Sequence, residues 1–167
     1  SYIGDSVGGL SATYMGGASS DSTNGVYLDG VDNFIELDDF EFGGVCSWEV
    51  YFKMEVLSNG IAIVSFLHPG NGWSNPTATD IMTLYGFTSG SNNYYNMIMN
   101  NGSNTQMWGN QSMGPGDTNW SHVVWTFNNG THKQYLNGVE KLSTTGVPMR
   151  TITRACHRLG LHDTSGF

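Results

Sequence analysis

Charge is scarce in this chain: Asp, Glu, Lys and Arg together supply 12% of the residues, about half the usual share of roughly 25%. A coiled coil or a solvated acidic tail would need far more, so both are excluded. Basic residues are the rarest, six against fourteen acids, and the net charge of -8 argues against nonspecific nucleic-acid binding, which depends on neutralising phosphates with Lys and Arg. No run of 18 or more apolar residues occurs, so no membrane-spanning helix is expected. Cysteine is limited to Cys46 and Cys156, with 109 residues between them. That excludes a local zinc-ligand cluster and a Cys-x-x-Cys redox pair, and leaves one disulfide or two thiols. Apolar residues never recur at the helical period over ten residues, so no helix of ordinary length is expected either.

What is abundant is Gly, 23 residues, together with 8 Phe, 8 Tyr and 5 Trp, a composition of turns and strands. At 167 residues the chain is long enough to form one domain, residues 1–167, around a single core. Charge is uneven along it. Residues 1–56 carry ten acids against Lys53 alone, and five of the six basic residues fall between Lys133 and Arg158.

The strictest pattern runs from 45 to 56. Cys46, Trp48, Val50, Phe52, Met54 and Val56 share one side, and Ser47, Glu49, Tyr51, Lys53 and Glu55 the other, which predicts a strand with one buried and one wet face. Cys46 then points inward, within reach of Cys156 if the latter lies on a neighbouring strand. Further strands are expected at 26–28, 33–37, 61–67, 80–85, 94–99, 120–127, 132–136, 139–142 and 156–161. Residues 120–127 are apolar on both parities, so a strand covered on both sides is expected there, with Trp120 buried. Asn137-Gly138 between two such runs is a hairpin turn signal, because a type I′ turn needs positive φ at both central residues. Residues 88–118, rich in Gly, Asn and Ser, read as long surface loops. About ten short strands with tight turns imply an all-β, two-sheet antiparallel jelly roll.

Four N-glycosylation sequons, at Asn101, Asn110, Asn119 and Asn129, lie within 29 residues. Beside an even cysteine count, they point to a secreted, oxidising compartment and a Cys46–Cys156 bond. Ser1 in place of an initiating Met suggests a processed or excised piece.

Residues 25–42, Gly-Val-Tyr-Leu-Asp-Gly-Val-Asp-Asn-Phe-Ile-Glu-Leu-Asp-Asp-Phe-Glu-Phe, resemble the opening of laminin-G-like jelly-roll domains of the concanavalin A-like lectin and glucanase superfamily. Trp120-Ser-His-Val-Val-Trp-Thr followed by Tyr135-Leu-Asn-Gly138 is similar to that family's Trp-x-His-Val-Ala-x-Thr and Tyr-Val-Asn-Gly signature. Ser47–Lys53 resembles its intervening strand, and His157-Arg-Leu-Gly160 its late Leu-Gly-Arg strand. The resemblance implies the sandwich fold and one further closing strand after residue 167, so a fragment of a longer protein is expected.

Fold does not settle activity. The glucanases of this superfamily set two carboxylates about 5 Å apart by an alternating acidic run on one strand. Glu49 and Glu55, six residues apart, and the adjacent Asp38 and Asp39 do not form one, so no enzyme is expected. His68, His122, His132, His157 and His162 show no metal-ligand spacing, and His122 reads as a hydrogen-bonded, half-buried strand residue. No cofactor is required. The structural ion of some relatives makes calcium a candidate, with Asp29, Asp32, Asp80 and Asp163 as ligands, against the alternative that Asp29-Gly30 is only a tight turn. Asn33, where relatives carry a second Asp, weakens that cluster. For sugar binding the candidates are Trp73, Tyr94 and Trp108, since an aromatic face stacks on sugar C–H groups while amides hold the hydroxyls. The first expectation is a noncatalytic extracellular structural or adhesion module of a larger glycoprotein, partnered by other domains or copies of its parent. The alternative is a lectin-like module that binds glycans, and a glycan-degrading enzyme is a distant third.

Overall fold

In a computed structural model the described residues are 2–4, 9–21, 23, 25–54, 61–67, 81–89, 92–100, 106–108 and 119–160. Among them fifteen strands and no helix occur. In chain order these are β1 (Tyr2–Gly4), β2 (Ser11–Met15), β3 (Ser19–Asp21), β4 (Gly25–Tyr27), β5 (Phe34–Leu37), β6 (Phe40–Phe42), β7 (Cys46–Lys53), β8 (Ile61–Leu67), β9 (Met82–Ser89), β10 (Asn92–Asn100), β11 (Gln106–Trp108), β12 (Trp120–Asn128), β13 (Thr131–Leu136), β14 (Val139–Thr145) and β15 (Ile152–Leu159).

One antiparallel sheet runs β1-β2-β5-β15-β8-β9-β10-β11, with β6 also paired to β15; a second runs β14-β13-β12-β7. The jelly-roll sandwich expected from the sequence is present. Its core is built where alternate residues of the two sheets meet: Val64, Phe66, Met82, Leu84, Tyr95, Met97 and Met99 from the larger sheet, Val123, Trp125 and Phe127 from the smaller. Rings bridge the layers. Trp48 of β7 lies 4.2 Å from Phe66 of β8 and 4.7 Å from Phe42 of β6, centroid to centroid. His157 of β15 sits fully buried among Phe40, Phe42 and Phe66 at 4.5, 6.1 and 5.1 Å, and this burial pushes its imidazole down to about 4. Arg154, also buried, donates to Phe42 O at 2.7 Å and Arg150 O at 3.2 Å and stacks over the Phe42 ring at 4.3 Å, so its charge is held by carbonyls and a π face.

Two Asn-Gly turns shape the smaller sheet. Asn129-Gly130 joins β12 to β13 and Asn137-Gly138 joins β13 to β14, with positive φ at all four residues, as a type I′ turn requires. Several expected strands are longer than their sequence patterns, and part of the 88–118 stretch read as loop is strand, in β9, β10 and β11.

The expectation for β12 is corrected. Ser121, Val123, Trp125 and Phe127 are buried, but His122, Val124 and Thr126 are only half-buried, and Trp120 is 43% exposed. The strand is central within its sheet, between β13 and β7, but only one of its faces meets the core.

Candidate functional site

The outer face of the four-stranded sheet is assembled by strict alternation. Along β7 the residues Ser47, Glu49, Tyr51 and Lys53 point away from the core, and the register sets Trp120 opposite Lys53, His122 opposite Tyr51 and Val124 opposite Glu49. Strand β12 outruns β13 here, since β13 pairs with it only from Val123 onward. The overhang is held by Asn137, whose N–H donates to His122 O and whose Oδ1 accepts from His122 N–H, both at 2.8 Å.

On this overhang the Tyr51 and Trp120 rings stack nearly parallel, 4.8 Å between centroids at 9°, with Tyr51 63% exposed. Beside them His122 Nε2 lies 2.9 Å from Glu49 Oε1; the carboxylate can only accept, so Nε2 carries the hydrogen. The next strand adds Lys133, which donates to Glu140 Oε2 at 2.9 Å, and Tyr135, whose O–H reaches the same oxygen at 3.4 Å. These bonds raise the Lys133 pKa and lower that of Glu140. At its far end the face dips into an open depression of about 490 Å³ between Val45, Ser47, Thr126, Asn128, Thr131 and Lys133. The result is an exposed aromatic stack flanked by fixed donors and acceptors, an arrangement suited to a ligand with one apolar face and several hydroxyls.

The residues singled out from the sequence are dispersed. Trp73, Asp80, Asp163, Asn101 and Asn110 lie outside the described residues. Tyr94 and Trp108 fall in β10 and β11, where backbone pairing sets Tyr94 opposite Phe87 and Trp108 opposite Ile98 at one end of the larger sheet. Asn119 and Asn129 are both exposed, Asn129 in its turn and Asn119 directly before the Trp120 platform.

Asp29 organises its own turn: Oδ1 accepts from the N–H groups of Val31, Asp32 and Asn33 at 2.9, 3.3 and 3.2 Å, and the Val31 bond leads in lowering its pKa. Asn33 is buried, with its amide nitrogen facing Gly16 O and Asp32 Oδ1, a donor role that a second Asp could not fill. Calcium takes six to eight oxygens. Among the described residues no group of three or more His, Cys, Asp or Glu gathers, and Asp80 and Asp163 lie outside them.

Cys46 carries a free thiol, half-buried, with Sγ 3.9 Å from Met149 Sδ, and burial raises its pKa. The two cysteines sit on different sheets, Cys46 opening β7 and Cys156 within β15. The Cys46 thiol is free of the expected bond, and the Cys156 side chain lies outside the described residues.

Among solved structures the chain is similar to domain 4 of AbnA, a GH43 extracellular arabinanase from Geobacillus stearothermophilus, solved with arabinotriose bound: 22% identity, TM-score 0.65, over 96% of this chain and 78% of that one. It is similar also to the binding domain of botulinum neurotoxin serotype D, at 13% identity and TM-score 0.64 over 95% of this chain and 40% of that one. The carbohydrate recognition domain of Emp47p matches at 11% identity and TM-score 0.54, over 96% and 86%. At these identities the likeness is one of fold. No curated protein sequence matches. A family model does, over residues 18–164, and with it the motifs and the sandwich converge: the chain belongs to the concanavalin A-like lectin/glucanase superfamily.

Proposed function

We propose that the chain is a noncatalytic carbohydrate-binding module which receives a sugar on the Tyr51–Trp120 stack. The observation that carries this reading is the stack itself, two large rings held parallel and left in water beside the Glu49–His122 pair. Exposed aromatic area of this kind stabilises a sugar by covering its C–H face, while Glu49 and His122 are set to take hydroxyl hydrogen bonds. Two of the structural neighbours support the class of ligand, one solved with arabinotriose and one named as a carbohydrate recognition domain.

Catalysis is disfavoured on this face because the carboxylate beside the stack, Glu49, is partnered by a histidine, whereas a glycosidase of the common type needs two carboxyl groups flanking the bond. The structural or adhesion role expected first from the sequence becomes the reading to adopt if no glycan binds. A secreted setting accords with the exposure of the Asn119 and Asn129 sequons.

The test is a glycan array that includes arabino-oligosaccharides, followed by calorimetry on any ligand found. Tyr51→Ala and Trp120→Ala are each expected to weaken binding at least tenfold, about 1.4 kcal/mol. Trp73→Ala should leave it unchanged. Binding lost with Trp73 and kept with Trp120 would move the site to the loop.

A further inference from the structure

Among the described residues the four-stranded sheet ends at β7 on one side and at β14 on the other, and the two edges are built differently. Strand β14 is broken by a register shift opposite Gln134/Tyr135, a device that discourages further pairing. Strand β7 is eight residues long, without bulge or proline. Its inward residues Cys46, Trp48, Val50 and Phe52 are only half-buried, whereas their partners Phe127, Trp125, Val123 and Ser121 on β12 are 1–3% exposed. Among the described residues the core is thus open along this edge from Cys46 to Phe52, and it closes at Met54, which is buried.

Among the described residues its backbone is open as well. The Asn129-Gly130 turn makes Asn128 and Thr131 the closing hydrogen-bonded pair of the hairpin, and Asn137 N–H bonds His122 O on the same side of β12. Alternate residues from Asn128 to His122 therefore address β13, and Phe127, Trp125, Val123 and Ser121 address β7. Opposite these, Cys46, Trp48, Val50 and Phe52 are engaged. The N–H and C=O groups of Ser47, Glu49, Tyr51 and Lys53 point outward, where no strand among the described residues pairs with them.

We propose that this edge is occupied by the same edge of a second copy of the chain, in antiparallel pairing. Of the registers that keep inward residues with inward residues, one sets Glu49 against itself and is repulsive. Another sets Glu49 opposite the second copy's Lys53 and Tyr51 opposite the second copy's Tyr51, a self-complementary charge pattern about a two-fold axis. It places Val50 against Phe52 and Trp48 against Met54 on the core side. About six backbone hydrogen bonds close the seam, and the two sheets become one of eight strands. The outer face then presents Trp120, Tyr51, and the second copy's Tyr51 and Trp120 across four neighbouring strands, a row about 14 Å wide by strand spacing. Each copy so completes the other's platform. This last consequence rests on the carbohydrate reading; the pairing itself does not.

Sedimentation equilibrium of the unglycosylated full chain at about 100 µM tests it. The expected mass is twice the chain mass of 18.2 kDa. Lys53→Glu and Glu49→Lys, both on exposed positions that leave the core untouched, should each yield single chains, and the two together should restore the dimer. A single-chain mass for the unaltered protein overturns the proposal. So does a dimer that survives either substitution, or one that the double exchange fails to restore. Because mass is read without sugar, a dimer that binds no glycan would sink only the carbohydrate reading, and a single chain that binds glycan would sink only the pairing.

Discussion

The two faces of the four-stranded sheet are made by the same strands, yet they obey opposite rules. On the inner face Trp125 is 2% exposed and packs on Phe127 at 4.6 Å, while five residues away on the outer face Trp120 stands in water against Tyr51. One ring is there for volume and the other for its surface. The difference shows that an aromatic residue in a strand announces its role through the parity it keeps and the partners on that parity, more than through its identity.

The sharpest way to break that comparison is to truncate both rings. Trp125→Ala opens a cavity between two packed layers and should cost about 3–5 kcal/mol in chemical denaturation. Trp120→Ala removes a half-exposed ring and one stacking contact, so about 1 kcal/mol is expected, alongside the larger loss of ligand affinity stated above. Equal losses of stability from the two variants would mean that the outer stack belongs to the fold rather than to a ligand.

Histidines extend the contrast to charge. His122 reaches Glu49 on the wet face, while His157 lies in its cage of Phe40, Phe42 and Phe66 with a pKa pushed from 6.5 down to about 4 by burial. A base whose folded pKa is depressed is favoured neutral. Stability is then full above about pH 6.5 and falls as pH drops toward 4, because the unfolded chain takes up the proton first. The loss over that window should reach about 3 kcal/mol, at 1.36 kcal/mol per unit. Burial lowers the His132 pKa too, which adds to the loss with the same sign. Urea unfolding across pH 7 to 4 measures the effect, and His157→Phe should flatten the greater part of it. A variant with the slope of the unaltered protein would show that His157 is not the group being charged.

The parity rule also explains what a single sequence discloses here. Strand β7 was legible in full because its alternation is strict, and the Asn137-Gly138 turn because its chemistry admits few conformations. Strands such as β2, Ser-Ala-Thr-Tyr-Met, and β11, Gln-Met-Trp, are short or built of small polar residues, and only their neighbours in the sheet define them. Trp120 was misread as buried because apolar residues occupy both parities of its strand. Its companions held the signal: it shares parity with His122 and Thr126, while the inward set is Ser121, Val123, Trp125 and Phe127. What no local pattern discloses is the meeting of Tyr51 with Trp120, since it depends on the register between strands far apart in the chain.

The finest version of the comparison sets the two Asn-Gly turns of the smaller sheet against each other. Asn129 has φ 47° and Asn137 φ 50°, so glycine fits either position without strain, and the backbone turn is preserved in both variants. They differ in one bond. The Asn137 side chain accepts from His122 N–H at 2.8 Å across the end of β12, whereas the Asn129 side chain extends into solvent. In the unglycosylated chain Asn129→Gly should therefore change stability by a few tenths of a kcal/mol, and Asn137→Gly should cost about 1 kcal/mol more, the net worth of one hydrogen bond. The second variant also frees the strand that carries Trp120 and His122, so its glycan affinity should fall while that of Asn129→Gly stays level. If the two variants unfold at the same urea concentration and bind alike, the overhang is positioned by β7 alone and Asn137 contributes only a turn.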